Sequence, residues 1–187
     1  MKRSFIREIL ESIDESTISF AGGLPSEKLF PREDLKIATM KIFDNPKAFQ
    51  YGVSNGIPEL REKIAQRYTK EGFPTTKDNI LITTGSQQAM YIIAKAFESK
   101  DITIEEPSYL GAMNIFRLNH LNMKGVKLEN DGVNIEKFKE SFKQTKLAYI
   151  IPDFQNPSAR TYSDAKREEI AKIVEEEDGI LIEDSPY

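Results

Sequence analysis

From residue 79 onward, short β-branched apolar runs alternate with longer stretches in which apolar residues recur at helical spacing. The runs predict strands at 79–83 (NILIT), 102–105, 124–128, 147–152 (LAYIIP) and 179–183 (GILIE). The stretches between them predict helices over 86–99, 109–119, 135–142 and 164–177. This order predicts an α/β fold: a three-layer αβα arrangement around a mostly parallel sheet covered on both faces. Upstream, residues 1–20 read as a short amphipathic helix running into a strand-like 17–20, followed by a Gly/Pro-punctuated loop, AGGLPSEKLFP. A helix is expected over 32–43 and a loop over 49–58 (FQYGVSNGIP). Another helix opens at Pro58, where a first-turn proline and Glu59 give a helix-start signal. The last strand ends four residues before Tyr187, with no helix after it to cover its face, so a piece of a longer chain is expected.

Composition narrows the chemistry. The 187 residues are 39% hydrophobic and 30% charged, as in a soluble globular chain able to bury a core. With 26 basic and 30 acidic residues, the net charge of −4 argues against a dedicated nucleic-acid binder. Without cysteine there is no disulfide, thiolate zinc site, iron–sulfur cluster or thiol nucleophile. The single histidine, His120, excludes a multi-histidine metal centre, and it reads as a surface residue at a helix end. Neither a secretory signal nor an apolar run of roughly 18 residues occurs, so a cytoplasmic protein without a membrane partner is expected. No Walker loop or Rossmann fingerprint is present.

Ligands of open α/β sheets bind beyond the carboxyl ends of strands, so the residues just after each run are the candidates. Thr84-Gly85-Ser86-Gln87 could cradle a phosphate with first-turn amides, or be an ordinary turn with a serine cap. Tyr109, in EEPSY, could stack on a flat ligand or be a half-buried core aromatic. Asn156, in FQNPS, could donate to a ligand oxygen or only shape an Asn-Pro turn. Asp184, at the end of a buried strand, needs a partner, which makes it a stronger candidate than surface carboxylates, or it could be a capping or salt-bridged residue. Glu175, Glu176, Glu177 and Asp178 read as a solvated helix end, and Met90, Ile92, Ile93 and Phe97 as core.

Taken in order, AGGLPS, QYG, PELR, TTGSQQA, EEPSY, NP and EDSPY resemble the fold-type I, pyridoxal-phosphate-dependent aminotransferases over nearly the whole chain. The resemblance is to the class I/II branch that includes 2-aminoadipate and aromatic aminotransferases. It implies an N-terminal arm and small-domain or linker segment at 1–45, and a partial cofactor-binding large domain at 46–187. It also implies pyridoxal 5′-phosphate as cofactor, amino acids and 2-oxo acids as substrates, and a homodimer. Residue by residue, Gly85, Ser86 and Gln87 match the phosphate turn and Tyr109 the ring that stacks on the pyridine. Asn156 and Tyr187 match donors to the phenolic oxygen, and Asp184 the carboxylate facing the pyridine nitrogen. Tyr51 matches a tyrosine reaching the neighbouring subunit's phosphate, and Gly23 a backbone contact near the substrate carboxylate.

Two departures stand out. Ala159 replaces the usual glycine of Asn-Pro-[Thr/Ser]-Gly, which is strained if φ is positive there. The family's Schiff-base lysine has no match in this chain, so the chain by itself is expected to be inactive; the substrate-carboxylate arginine has none either, and Arg160 is not assigned that role. Alternatives are a cofactor-binding regulatory module of the kind fused to winged-helix transcription factors, and a lyase or decarboxylase on the same scaffold. A flavodoxin-like or receiver-type domain leaves AGGLPS and QYG unexplained.

Overall fold

The computed structural model describes residues 14, 16–18 and 25–186. The chain divides into two units, Met1–Gly52 and Val53–Tyr187. In the first, α1 (Arg32–Phe43) starts behind Pro31, with Glu33 and Asp34 in its first turn, favourably placed for the helix dipole. None of its residues is buried, and Phe43 lies 5.6 Å from Phe49, centroid to centroid, across the turn that follows. Most of the helix expected over 1–20 lies outside the described residues; Thr17 and Ile18 are not in a strand.

The second unit opens with α2 (Pro58–Lys70), with proline in its first turn as expected. Its buried Arg61 donates to the Lys77 carbonyl at 2.8 and 3.0 Å and pairs with Asp78 at 3.1 Å, fixing the turn that leads to the core. Then α3 (Ser86–Ala96), β1 (Asp101–Glu106), α4 (Leu110–Leu118), β2 (Asn122–Glu129), β3 (Gly132–Val133), α5 (Ile135–Thr145), β4 (Leu147–Ile150), α6 (Asp164–Glu176) and β5 (Ile180–Glu183) follow. The sheet order is β3-β2-β1-β4-β5. Strands β2, β1, β4 and β5 are parallel, and the short β3 turns back antiparallel on β2.

Strand alternation divides the core between two layers. Ile102 and Ile104 of β1, Leu147 and Tyr149 of β4, and Ile182 of β5 pack with Met90, Ala94, Ala112 and Phe116 of α3 and α4. On the other face, Val126, Leu128, Ala148 and Ile150 pack with Phe138, Phe142, Ile170 and Ile173 of α5 and α6. Phe138 and Phe142, one helical turn apart, stack at 5.4 Å. This is the expected three-layer architecture. Ile92 is a correction, since it is substantially exposed rather than core.

One expected strand is absent. Residues 80–83 are not in a strand, although Ile80 is extended at φ −111° and ψ 128°. Strand propensity needs a neighbouring ladder to act on, and no strand pairs with this segment among the described residues. Instead, the Ile82 N–H donates to the Asn55 carbonyl at 3.1 Å. The two backbones approach closely there: a Cβ on Gly56, at φ 101°, would sit 2.4 Å from Ile82 Cγ1.

Candidate functional site

Parallel strands present their carboxyl ends along one edge. Ile104 is level with Tyr149, and Ile150 with Glu183, so the segments after β1, β4 and β5 emerge side by side. Asp184 is the first residue past β5, and its N–H donates to the Ile150 carbonyl at 3.0 Å, extending the ladder by one residue. Beneath it, the fully buried Tyr149 donates its hydroxyl to Asp184 Oδ2 at 2.7 Å. The partner that a half-buried carboxylate requires is therefore a phenol rather than a cation. Burial, then the hydrogen bond and charge of Asp184, push the Tyr149 hydroxyl far above the ordinary tyrosine range, so it remains a donor.

A second buried carboxylate joins two of the loops. Glu105 is 1% exposed. Its Oε1 accepts from the Ile151 N–H at 3.1 Å and the Tyr162 hydroxyl at 2.8 Å, while its Oε2 accepts from Gln155 Nε2 at 2.8 Å. Gln155 also donates to the Pro107 carbonyl and accepts from the Ser158 N–H. The loop after β4 is thus clamped to the loop after β1. Burial raises the Glu105 carboxyl above its usual range despite these three donors, and the charge of Asp184 adds to the rise.

Asn156 follows Gln155 directly and is exposed. Ala159 closes the loop at φ 56°, the strained left-handed conformation expected if this position resembled glycine. Arg160 donates to the Leu128 carbonyl at 2.9 Å, a structural use of its guanidinium. Tyr109 precedes α4 and packs, half-buried, against the cluster containing Tyr149 and Ile151. Its ring lies over Gly111: a Cβ there would fall 2.4 Å from Tyr109 Cζ.

The α3 helix packs on the same cluster through Met90 and Ala94. It starts at Gly85, at φ 80°, a conformation that favours glycine. Gly85 supplies no side-chain cap, and Ser86 and Gln87 are exposed. Gln88 braces the turn instead, its Oε1 accepting from the Thr84 N–H and hydroxyl at 2.6 and 2.7 Å. Tyr51 belongs to the other unit and is fully exposed. Gly23 and Tyr187 lie outside the described residues.

Each of these residues has a feature that a ligand could use. Gly85 leaves a helix start without a side-chain cap, Tyr109 offers a half-buried aromatic ring, Asn156 an exposed amide and Asp184 a braced carboxylate. The buried Ser108 hydroxyl, beside Tyr109, has no partner among the described residues. No group of three or more His, Cys, Asp or Glu able to hold a metal occurs among them.

Residues 20–187 match the family model for class I and II aminotransferases. The chain belongs to that family. It is 33% identical over 201 residues to aromatic-amino-acid aminotransferase 1 of Thermococcus litoralis, covering 100% of this chain and 48% of that relative. A Pyrococcus horikoshii kynurenine aminotransferase, solved in complex with PMP, superposes with a TM-score of 0.87 at 32% identity, covering 100% of this chain and 49% of that one. LysN, the α-aminoadipate aminotransferase of Thermus thermophilus, solved with N-(5′-phosphopyridoxyl)-L-leucine, gives a TM-score of 0.85 at 34% identity, covering 100% and 47%. The helix-turn-helix regulator YdfD of Bacillus subtilis is also similar, at 27% over 190 residues. The chain spans about half the length of the curated aminotransferases it matches.

Within this class I/II aminotransferase chain, the strand-end motifs carry the candidates that are legible in sequence. Of the residues that hold those candidates in place, Glu105, Gln155 and Gln88 lie inside the motifs EEPSY, FQNPS and TTGSQQA without a role of their own in the sequence reading, and Tyr149 and Tyr162 lie in none of them. Their signal is faint: Tyr149 is the one polar side chain of β4, and Glu105 is an acidic residue next to the end of β1, where burial demands a partner.

Proposed function

We propose that this chain is the N-terminal part of an amino-acid aminotransferase, transferring an amino group from an amino acid to a 2-oxo acid. The observation that carries this reading is Asp184, held at the strand end by a buried phenol, with Tyr109 and the Asn156 loop on the neighbouring strand ends. The cofactor is pyridoxal 5′-phosphate, which when bound supplies an electron-accepting ring that stabilises negative charge on the substrate carbon. Asp184 keeps a proton on the ring nitrogen, and so maintains that acceptor strength. Tyr109 covers one face of the ring and excludes water from it. Gly85, Ser86 and Gln87 bind the phosphate through the helix start. Asn156, with Tyr187, donates to the phenolic oxygen. Gly23 contacts the substrate carboxylate through its backbone, and Tyr51 serves the partner subunit of a cytoplasmic homodimer.

Residues 1–45 form the arm and small-domain segment in this reading, and 46–187 part of the large domain. In this reading, the lysine that anchors the cofactor and moves the proton, and the arginine that binds the substrate carboxylate, have no match among these 187 residues. The 187 residues alone are therefore expected to give no transamination. In the full-length protein, Asp184→Ala is expected to abolish most amino-group transfer while leaving soluble yield nearly unchanged. Unchanged turnover would refute the assignment. The similarity to regulators keeps a cofactor-binding regulatory module as the second reading. Absence of transfer by the full-length protein, with cofactor binding intact, would favour it.

A further inference from the structure

Tyr149 stands on a central strand, fully buried, and no catalytic motif includes it. Its ring is set edge-on against Phe116, with centroids 5.4 Å apart and planes at 72°, which fixes where its hydroxyl points. That hydroxyl has one proton, given to Asp184 Oδ2 at 2.7 Å. The Asp184 backbone is held independently by its N–H bond to Ile150. Asp184 is thus held at its backbone N–H and at Oδ2, and Oδ1 receives no hydrogen bond from the described residues.

We propose that Tyr149 is a positioning residue for the cofactor: by occupying Oδ2 it orients the Asp184 carboxylate so that Oδ1 meets the protonated ring nitrogen. This rests on the reading of Asp184 as the partner of that nitrogen. The phenol acts through Asp184 and touches no reacting atom. A carboxylate gripped by one buried neutral donor is oriented without being neutralised, as it would be by arginine or lysine, so its charge remains available to the ring. Tyr149→Phe keeps the packing against Phe116 and removes only the grip.

The test measures binding of pyridoxamine 5′-phosphate, which forms no covalent bond to the protein, to the full-length wild type, Tyr149→Phe, Asp184→Asn and the double variant. The 1-deaza analogue, whose ring nitrogen is replaced by C–H, serves as a second probe. Tyr149→Phe is expected to weaken pyridoxamine phosphate binding about tenfold. It is expected to leave the deaza analogue unaffected and to add nothing in the Asp184→Asn background. Unchanged binding by Tyr149→Phe, or equal loss with both probes, overturns the proposal while leaving the Asp184 assignment standing. Unchanged binding by Asp184→Asn overturns both. If Tyr149→Phe does not fold, the coupling is read from the other side. Apo Asp184→Asn must then show a tyrosine ultraviolet difference spectrum against apo wild type, and a flat difference overturns the proposal.

Discussion

Replacing Glu105 by alanine would remove the acceptor that joins β1 to the loop after β4. At 1% exposure, the donors around it are out of reach of bulk solvent in the folded protein. The Ile151 N–H and the Tyr162 hydroxyl would lose the acceptor they now share, whereas Gln155 would keep the Pro107 carbonyl. Two orphaned buried donors place the cost at about 3–5 kcal/mol, a large share of a typical domain's stability. Urea unfolding followed by circular dichroism measures it. Adding Tyr162→Phe to the alanine variant removes one orphan and is expected to recover about 1 kcal/mol or more.

The effect is also pH-dependent. Glu105 titrates near 4.5 in the unfolded chain and higher in the folded protein. Below the unfolded value both states are protonated and its contribution to stability is fully present. As pH rises through the folded value, the unfolded state has already ionised, and that contribution is lost. Wild type is therefore expected to lose stability relative to the non-titrating Glu105→Gln variant as pH rises. A cost below about 1 kcal/mol for Glu105→Ala, or a gap to Glu105→Gln that stays constant with pH, would refute the reasoning.

Three glycine-related positions yield further tests. Ala159→Gly is expected to stabilise the fold by about 0.5–1 kcal/mol, because Ala159 sits at φ 56°; a lower melting temperature would contradict this. Gly56→Ala combines positive φ with a Cβ 2.4 Å from Ile82 Cγ1, and should cost about 2 kcal/mol or more by denaturant unfolding. Gly111→Ala must displace the Tyr109 ring. It is expected to weaken pyridoxamine phosphate binding severalfold by absorbance titration while leaving the melting temperature nearly unchanged.

Sequence reading succeeded where one residue type had one physical solution. Helices α1, α2, α3 and α6 begin where Pro58, Gly85 or a polar residue followed by apolar spacing says they should. The β-branched runs of β1, β4 and β5 could satisfy their apolar side chains only between two helical layers. The reading failed at NILIT because composition reports the propensity of a segment and not whether a neighbour exists to pair with it. It missed β3, two residues too short to show alternation. Within the site, Tyr109, Asn156 and Asp184 were visible through their positions after strands. Tyr149 and Glu105 were hidden because their partners, 35 and 46 to 57 residues away, are joined to them only by the sheet register.

On the reading proposed above, the carboxyl edge of this sheet holds the cofactor of an amino-group transfer. A crystal structure of the full-length protein with pyridoxamine 5′-phosphate tests it most directly. Density is expected with the phosphate at Gly85, Ser86 and Gln87, the ring against Tyr109, and the ring nitrogen within hydrogen-bond distance of Asp184. Ligand density elsewhere in the protein, or a ring nitrogen turned away from Asp184, would contradict the account.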